Sequence, residues 1–408
     1  MTTQSADLSK RIGALAAEEA TRARAVRRDL HTHPEVCYEE LKTSARIRAE
    51  LDDAGIAHAD GLAGGTGTLA FLDGDSADCV ALRADIDGLP IVEENDCAWR
   101  SRTVGRMHAC GHDGHTAILL GAARVLKRLS QERALPNAVR FLFQPAEEGG
   151  AGGKRMVDDG ALKAHRAGPA ARRIYGLHNF PGLALGTLST RRGALFASSD
   201  RYEILVHGQA AHAAWPHQAR DPIVAASAIV LALQTIVARE IDPLDSGVIS
   251  TTMFHAGTAT NQIGSTATLQ GTARALVEST RGHIESRLCE IAADIARAHR
   301  CTTTARYHRG YPVTRNDDAS VREFERIVRE ALPSQHLAHM EVPVMGGEDF
   351  AYYAEVIPAC FFLLGVEDGC WRSAHLHQPT FDFNDAALVH GIEAMAMLAI
   401  DDRSDSGA

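Results

Sequence analysis

The chain has 408 residues, 45% of them apolar, more than a single ordinary hydrophobic core organises, so two domains are expected. The formal charge of -10 is spread over well-mixed acids and bases. With no Lys/Arg block, nucleic acid is excluded as a partner.

The first part of the chain alternates helix and strand. A charged amphipathic helix covers about residues 6 to 29 and a second lies near 39 to 54. GTGTLAFLDG (65–74) and CVALRAD (79–85) read as strands. Apolar residues at 118, 119, 122, 125, 126 and 129 form a 3.6-residue stripe, predicting a helix just after His112. VRFLFQP (139–145) and RIYGLHNFPG (173–182) are further strands, apolar on both faces. This pattern predicts a helix-flanked, mostly parallel sheet.

Near residue 195 the pattern changes. DRYEILVHG is a strand, and 221–240 is a helix opened by Asp221 and Pro222. SGVISTTMFHAG and STATLQGTARAL are strands, about 278 to 299 is an amphipathic helix, and CTTTARYHRGY is a last strand. The order β-α-β-β-α-β is that of a ferredoxin-like unit. After about residue 311 the first style returns, with a helix over 318–332, the strand CFFLLG and a closing helix from Asp385. The expected fold class is α/β, a catalytic domain of 1–194 and 311–408 carrying an inserted ferredoxin-like domain of 195–310. There is no internal repeat.

Cysteines occur at 37, 79, 97, 110, 289, 301, 360 and 370, with no CxxC and no disulfide-framework spacing. Reduced, buried thiols fit a reducing compartment. The N-terminal segment lacks a signal-peptide core, and no stretch reads as a membrane span, so the expected location is the cytoplasm.

MHACGHDGHTA (107–117) places Cys110, His112, Asp113 and His115 within six residues at the start of a helix. Thiolate and imidazole suit zinc and its transition-metal neighbours, although a Cys-x-His pair alone is weak. FLFQPAEEGG puts Glu147 and Glu148 directly after a strand. In a loop two adjacent carboxylates can point apart, one toward a metal and one toward a proton. His178 ends another strand, and WRSAHLHQPTFDFND adds His375 and His377. Ligands of open α/β sheets gather at such strand ends.

The chain resembles the M20 metallopeptidase family, and within it the amidohydrolase branch of hippurate hydrolases, N-acyl-amino-acid amidohydrolases and auxin-conjugate hydrolases. The resemblance rests on RRDLHTHPE (27–35), RADIDGLP (83–90), MHACGHDGHTA, FQPAEEGGAGG (143–153), LHNFPG (177–182), GQAAHAAWPH (208–217), ATNQIG (259–264), LQGTAR (269–274), GGEDFAYY (346–353) and LHQPTFDFND (376–385), in family order over nearly the whole chain.

The resemblance implies two divalent metal ions per subunit (Zn, Mn, Ni or Co), with Cys110, His112, Glu148, His178 and His377 as ligands. It makes Glu147 the catalytic base and Asp87 a group orienting a ligand. His212 matches an oxyanion donor, and Asn261 and Arg274 match contacts for the free carboxylate of an amino acid, in their own site or the neighbouring subunit's. Gly346 lies close to the substrate, with Glu348 behind it. His115 and His375 are neighbours rather than ligands, His31 and His33 are structural, and His217 has no assigned role.

The implied reaction is metal-dependent cleavage of N-acyl amino acids, by a homodimer paired through the inserted domain, with no nucleic-acid or membrane partner. A biosynthetic N-acetyl-amino-acid deacetylase or a dipeptidase is the alternative within the family. A non-catalytic metal- or ligand-binding protein would be expected to lack Glu147 or a ligand. The sequence departs from the family at Asn179, Gly88 and Trp215; the first two are expected to touch no ligand, while the bulk of Trp215 reshapes the substrate pocket.

Overall fold

The computed structural model describes residues 3–76, 78–164, 168–332, 334–369 and 374–400; Cys370, read above as a reduced thiol, and 371–373 of the last motif lie outside them. The chain divides into two compact units, one within 1–195, 315–342 and 349–408, the other of 196–314 and 343–348.

The first unit is built on an eight-stranded sheet in the order Ala57–Leu62, Gly67–Leu72, Ala138–Gln144, Cys79–Asp85, Ala171–Ala184, Ala359–Glu367, Thr187–Thr190, His336–His339. The four central strands, from Ala138–Gln144 to Ala359–Glu367, run parallel. The 57–62, 67–72 and 138–144 strands pair antiparallel with one another, as do 359–367 and 187–190. Every residue of Cys79–Asp85 and Ala138–Gln144 is buried, as continuous apolar runs predict for a strand covered on both faces. Helices Thr3–Thr32, His112–Glu132 and Ala387–Ile400 pack on one another, and the latter two pack on the central strands. Three strands, the edge strands Ala57–Leu62 and His336–His339 and the penultimate Thr187–Thr190, escape the sequence reading. All are short, and two carry too few apolar side chains to show a pattern.

The second unit has a four-stranded antiparallel sheet ordered Gly247–Ala256, Thr266–Ala275, Ser199–His207, Thr302–Tyr311. Helices Pro222–Thr235 and Glu278–Ala298 are its two crossovers, so the β-α-β-β-α-β order holds. Asp221 caps the first helix by accepting from the amides of Ile223 and Val224. That helix ends at Thr235 and continues as one wider turn over Ile236–Glu240. One reading is corrected here. Pro222–Glu240 is a 19-residue helix with an 18-residue window of mean hydropathy 1.8, long and apolar enough by length and composition to cross a membrane. Its apolar residues run right round the helix. Ala225, Ala226, Ile229 and Leu233 are buried in the core of this unit, while Ile223, Val224 and Leu231 are exposed.

A bulge between Thr251 and Met253 brings the backbone of that strand close to Gly271. A Cβ at Gly271 would lie 2.1 Å from the Ser250 carbonyl oxygen and 2.5 Å from the Tyr202 ring. Gly271→Ala is therefore expected to destabilise this unit by about 1–3 kcal/mol through overpacking, read from urea or thermal denaturation.

Candidate metal centre

Neighbouring parallel strands deliver most of the site. Asp85 ends Cys79–Asp85 and Asp87 follows two residues on; Glu147 and Glu148 follow Ala138–Gln144; His178 lies within Ala171–Ala184. Cys110 and His112 flank Gly111, whose left-handed φ of 90° starts the helix His112–Glu132. His377, itself at φ 64°, donates its amide to the Ala109 carbonyl at 2.8 Å, which ties the C-terminal segment beside Cys110. A non-glycine residue in that region needs its surroundings to hold it there.

The five ligand candidates converge. Donor atoms of Cys110, His112 and His178 lie within 4.8 Å of one another, as do those of Cys110, Glu148 and His377, and those of His112, Glu147 and Glu148. Cys110 Sγ is 3.4 Å from His178 Nε2, and Glu148 Oε1 is 3.1 Å from His377 Nε2. All but His377 are largely buried.

Asp87 joins two of the segments. Its Oδ1 is 3.1 Å from His112 Nδ1, and its Oδ2 accepts the Glu148 amide at 2.9 Å. His112 Nε2 is then a buried nitrogen with no hydrogen-bond partner among the described residues. The nearest carboxylate, Asp85, stands 3.7 Å away. His178 Nδ1 donates to the Asn179 carbonyl at 2.7 Å, which leaves Nε2 as the lone-pair nitrogen facing Cys110. This corrects the expectation that Asn179 touches no ligand: the contact is made by its main chain, which a side-chain comparison does not register.

The electrostatics call for positive charge. Burial pushes the Cys110 thiol well up, and Glu148, Glu147 and Asp85 add to the shift. Burial alone would lower His112, but Asp85, Asp87 and Glu148 outweigh it and raise the imidazole to about 10. Burial and the adjacent His115 hold His178 well below its ordinary value. A divalent cation reverses this balance by deprotonating the thiol and neutralising the carboxylates. Soft and borderline donors around an unpartnered buried imidazole nitrogen thus fit such an ion.

Around this cluster stand residues that the sequence reading passed over. Asp85 Oδ1 is 2.6 Å from His115 Nδ1, and Arg83 donates to Asp85 Oδ2 at 2.7 Å and to Asp349 Oδ1 at 2.9 Å. The Asp349 amide donates to Glu147 Oε1 at 3.3 Å. The available signal was period-two spacing, since Arg83 and Asp85 share one face of a strand that leads to Asp87. His115 is engaged through both ring nitrogens, the second by Asn179. Asp113 faces away from the cluster's donors and pairs with His31 at 2.8 Å.

The remaining candidates lie in the second unit. His212 pairs across from Gln262, and the Ala213 amide donates to the Asn261 carbonyl at 3.0 Å, so His212 and Asn261 share one small ribbon. Trp215 stacks at a tilt on His212, with ring centroids 5.0 Å apart. Arg274 stands opposite Val248 and donates to the Ala273 carbonyl at 3.0 Å. The Gly346 carbonyl accepts the Ala197 amide at 2.9 Å, and the buried Glu348 accepts from Thr314 Oγ1 through its carbonyl at 3.0 Å.

An α/β unit with a buried Cys–His–Glu donor set and a second carboxylate beside it has the make-up of a metal-dependent hydrolase. Residues 81–401 match the model of peptidase family M20/M25/M40, and the chain belongs to that family. It is 39% identical over 379 residues to an IAA-amino acid hydrolase, ILR1-like 2, of Arabidopsis thaliana, covering 92% of this chain and 84% of that protein. It is 39% identical over 370 residues to an N-acetyl-L-cysteine deacetylase of Bacillus subtilis, covering 89% and 84%. Among solved structures, a dinuclear metal-binding peptidase of the M20 family from Bacillus subtilis superposes with a TM-score of 0.81 at 33% identity, over 94% of this chain and 98% of that one. The protein is a metal-dependent hydrolase of amide bonds.

Asp87→Ala frees the His112 ring and the Glu148 amide together. The expected outcome is a ~10–100-fold loss of metal affinity, measured by competition against a chromophoric chelator.

Proposed function

We propose that the chain hydrolyses N-acyl amino acids to a carboxylic acid and a free amino acid. The observation that carries this reading is the pairing of Glu148, placed among the donors, with its neighbour Glu147, whose Oε1 is held by the Asp349 amide. One relative is named for an IAA-amino acid and another for N-acetyl-L-cysteine. Their shared feature is an amide between an acyl group and an amino acid.

In this reading Cys110, His112, Glu148, His178 and His377 hold two divalent cations, Zn, Mn, Ni or Co. When bound, these supply Lewis acidity toward a water and the scissile carbonyl. Glu147 takes a proton from the attacking water and returns it to the departing amine nitrogen, so that water adds across the C–N bond with no net proton change. Asp87 fixes the His112 tautomer. The Ala214 amide donates to His212 Nδ1 at 3.1 Å, so neutral His212 carries its proton on Nε2 and serves as a donor to the carbonyl oxygen as charge builds there. Asn261 and Arg274 receive the amino acid's carboxylate, Gly346 lines the substrate and Glu348 supports it from behind.

The inserted domain, 195–310, is assigned as the pairing surface of a homodimer. Supporting this, Val224 and Leu231 on its first helix and Met253 and Phe254 on an edge strand are all exposed. The seven described cysteines are all free thiols, which agrees with the cytoplasm.

Glu147→Gln is expected to retain its metal and lose ~100-fold or more in kcat on a panel of N-acyl amino acids; full rate in the metal-loaded variant contradicts the assigned base. Leu231→Glu places a charge on the apolar face and is expected to turn a dimer into a monomer by light scattering, with the fold retained.

A further inference from the structure

Glu40 is a fully buried carboxylate outside the donor cluster, and among the described residues it forms no ion pair. Burying a carboxylate without a cation is costly unless hydrogen bonds compensate. Three donors do so. Oε1 accepts the amides of Tyr38 at 3.0 Å and Ala146 at 2.9 Å, and Oε2 accepts from Thr66 Oγ1 at 3.0 Å.

Ala146 immediately precedes Glu147 and Glu148. Its φ of 56° is in the left-handed region, which a residue with a Cβ occupies only when its surroundings hold it there. The same N-terminal turn reaches the far end of the loop as well. Tyr38 Oη donates to the Gly150 carbonyl at 2.6 Å. Cys37 Sγ would lie 2.4 Å from a Cβ at Gly150, so only glycine permits this approach. The turn therefore brackets the loop at both ends, with Glu147 and Glu148 in between.

We propose that Glu40 is a positioning residue that holds Ala146 in its left-handed conformation and thereby aims Glu147 and Glu148; this rests on the roles given to those two residues above. It touches neither substrate nor reacting atoms.

The test uses the full-length, metal-loaded protein, with rates expressed per metal-loaded molecule. Glu40→Ala is expected to lose ~100-fold in kcat, the scale of a misplacement near 1 Å, with KM within about threefold. Glu40→Gln keeps one oxygen for both amides and offers its NH2 to Thr66, so it is expected to stay within about threefold of wild type in kcat. Ala146→Gly in the Glu40→Ala background removes the steric objection to positive φ, and is expected to recover about tenfold in kcat without raising Tm. Hydrogen exchange in the segment 144–151 is an independent readout, expected to be faster in Glu40→Ala and normal in Glu40→Gln.

The proposal is overturned if Glu40→Ala keeps kcat within threefold, or if adding Ala146→Gly gives no recovery while Tm alone falls. Should Glu40→Ala fail to fold, Glu40→Asp withdraws the carboxylate by one methylene and is expected to show the same kcat loss; wild-type kcat there also overturns it. Glu147→Gln run alongside separates the two ideas. Full activity in that variant removes the assigned base, whereas the exchange data still report whether Glu40 holds the loop.

Discussion

Buried negative charge is the constraint that organises the first unit. Asp85, Asp87, Glu147 and the largely buried Glu148 sit with the Cys110 thiol around the imidazoles of His112, His115 and His178. A single carboxylate can be buried on hydrogen bonds, but a cluster of them is held out of water at tolerable cost only where positive charge joins it. Arg83 supplies part of that charge from below, through Asp85 and Asp349. In the proposed reading divalent cations would supply the rest, and the unpartnered Nε2 of His112 is where one of them would be received.

The fold meets this constraint by bringing distant segments together at the ends of neighbouring parallel strands. Asp87 then couples the helix-starting segment to the carboxylate loop through one hydrogen bond from each of its oxygens. On the other side of the helix start, Arg27 donates to Asp382 at 2.9 Å and to Asp385 at 2.8 Å, while His31 holds Asp113. Burial depresses the His31 imidazole, but Asp113 outweighs it, and the net shift is up to about 9. These charges join the first helix, the start of the helix His112–Glu132 and the segment after His377, so the backbone that carries the ligand candidates is pinned from both sides.

Much of this was legible in the sequence, for physical reasons. The apolar stripe after His112 has one period, so the helix and its start were readable. Glu147 and Glu148 follow a strand that has no exposed face, which fixed their place at its end. What escaped was carried by the backbone or by context. The Asn179 contribution to His178 is a carbonyl, and no side-chain identity encodes it. Asp85 looked like strand interior, although period-two spacing from Arg83 to Asp87 was present. Glu40 is one of two adjacent acids in VCYEE, and only the left-handed Ala146 reveals its use. Residues 343–348 pack with the second unit because Val344 bridges Phe196, a contact across nearly 150 residues that no local pattern announces.

The central claim is that Cys110, His112, Glu148, His178 and His377 hold cations that the reaction needs. The most direct measurement is elemental analysis of exhaustively dialysed protein at full specific activity, with Cys110→Ser alongside. The account predicts about two divalent ions per wild-type chain and a clear fall in both ion content and activity in the variant. Full activity with less than one ion per chain, or an ion content unchanged by Cys110→Ser, would contradict it.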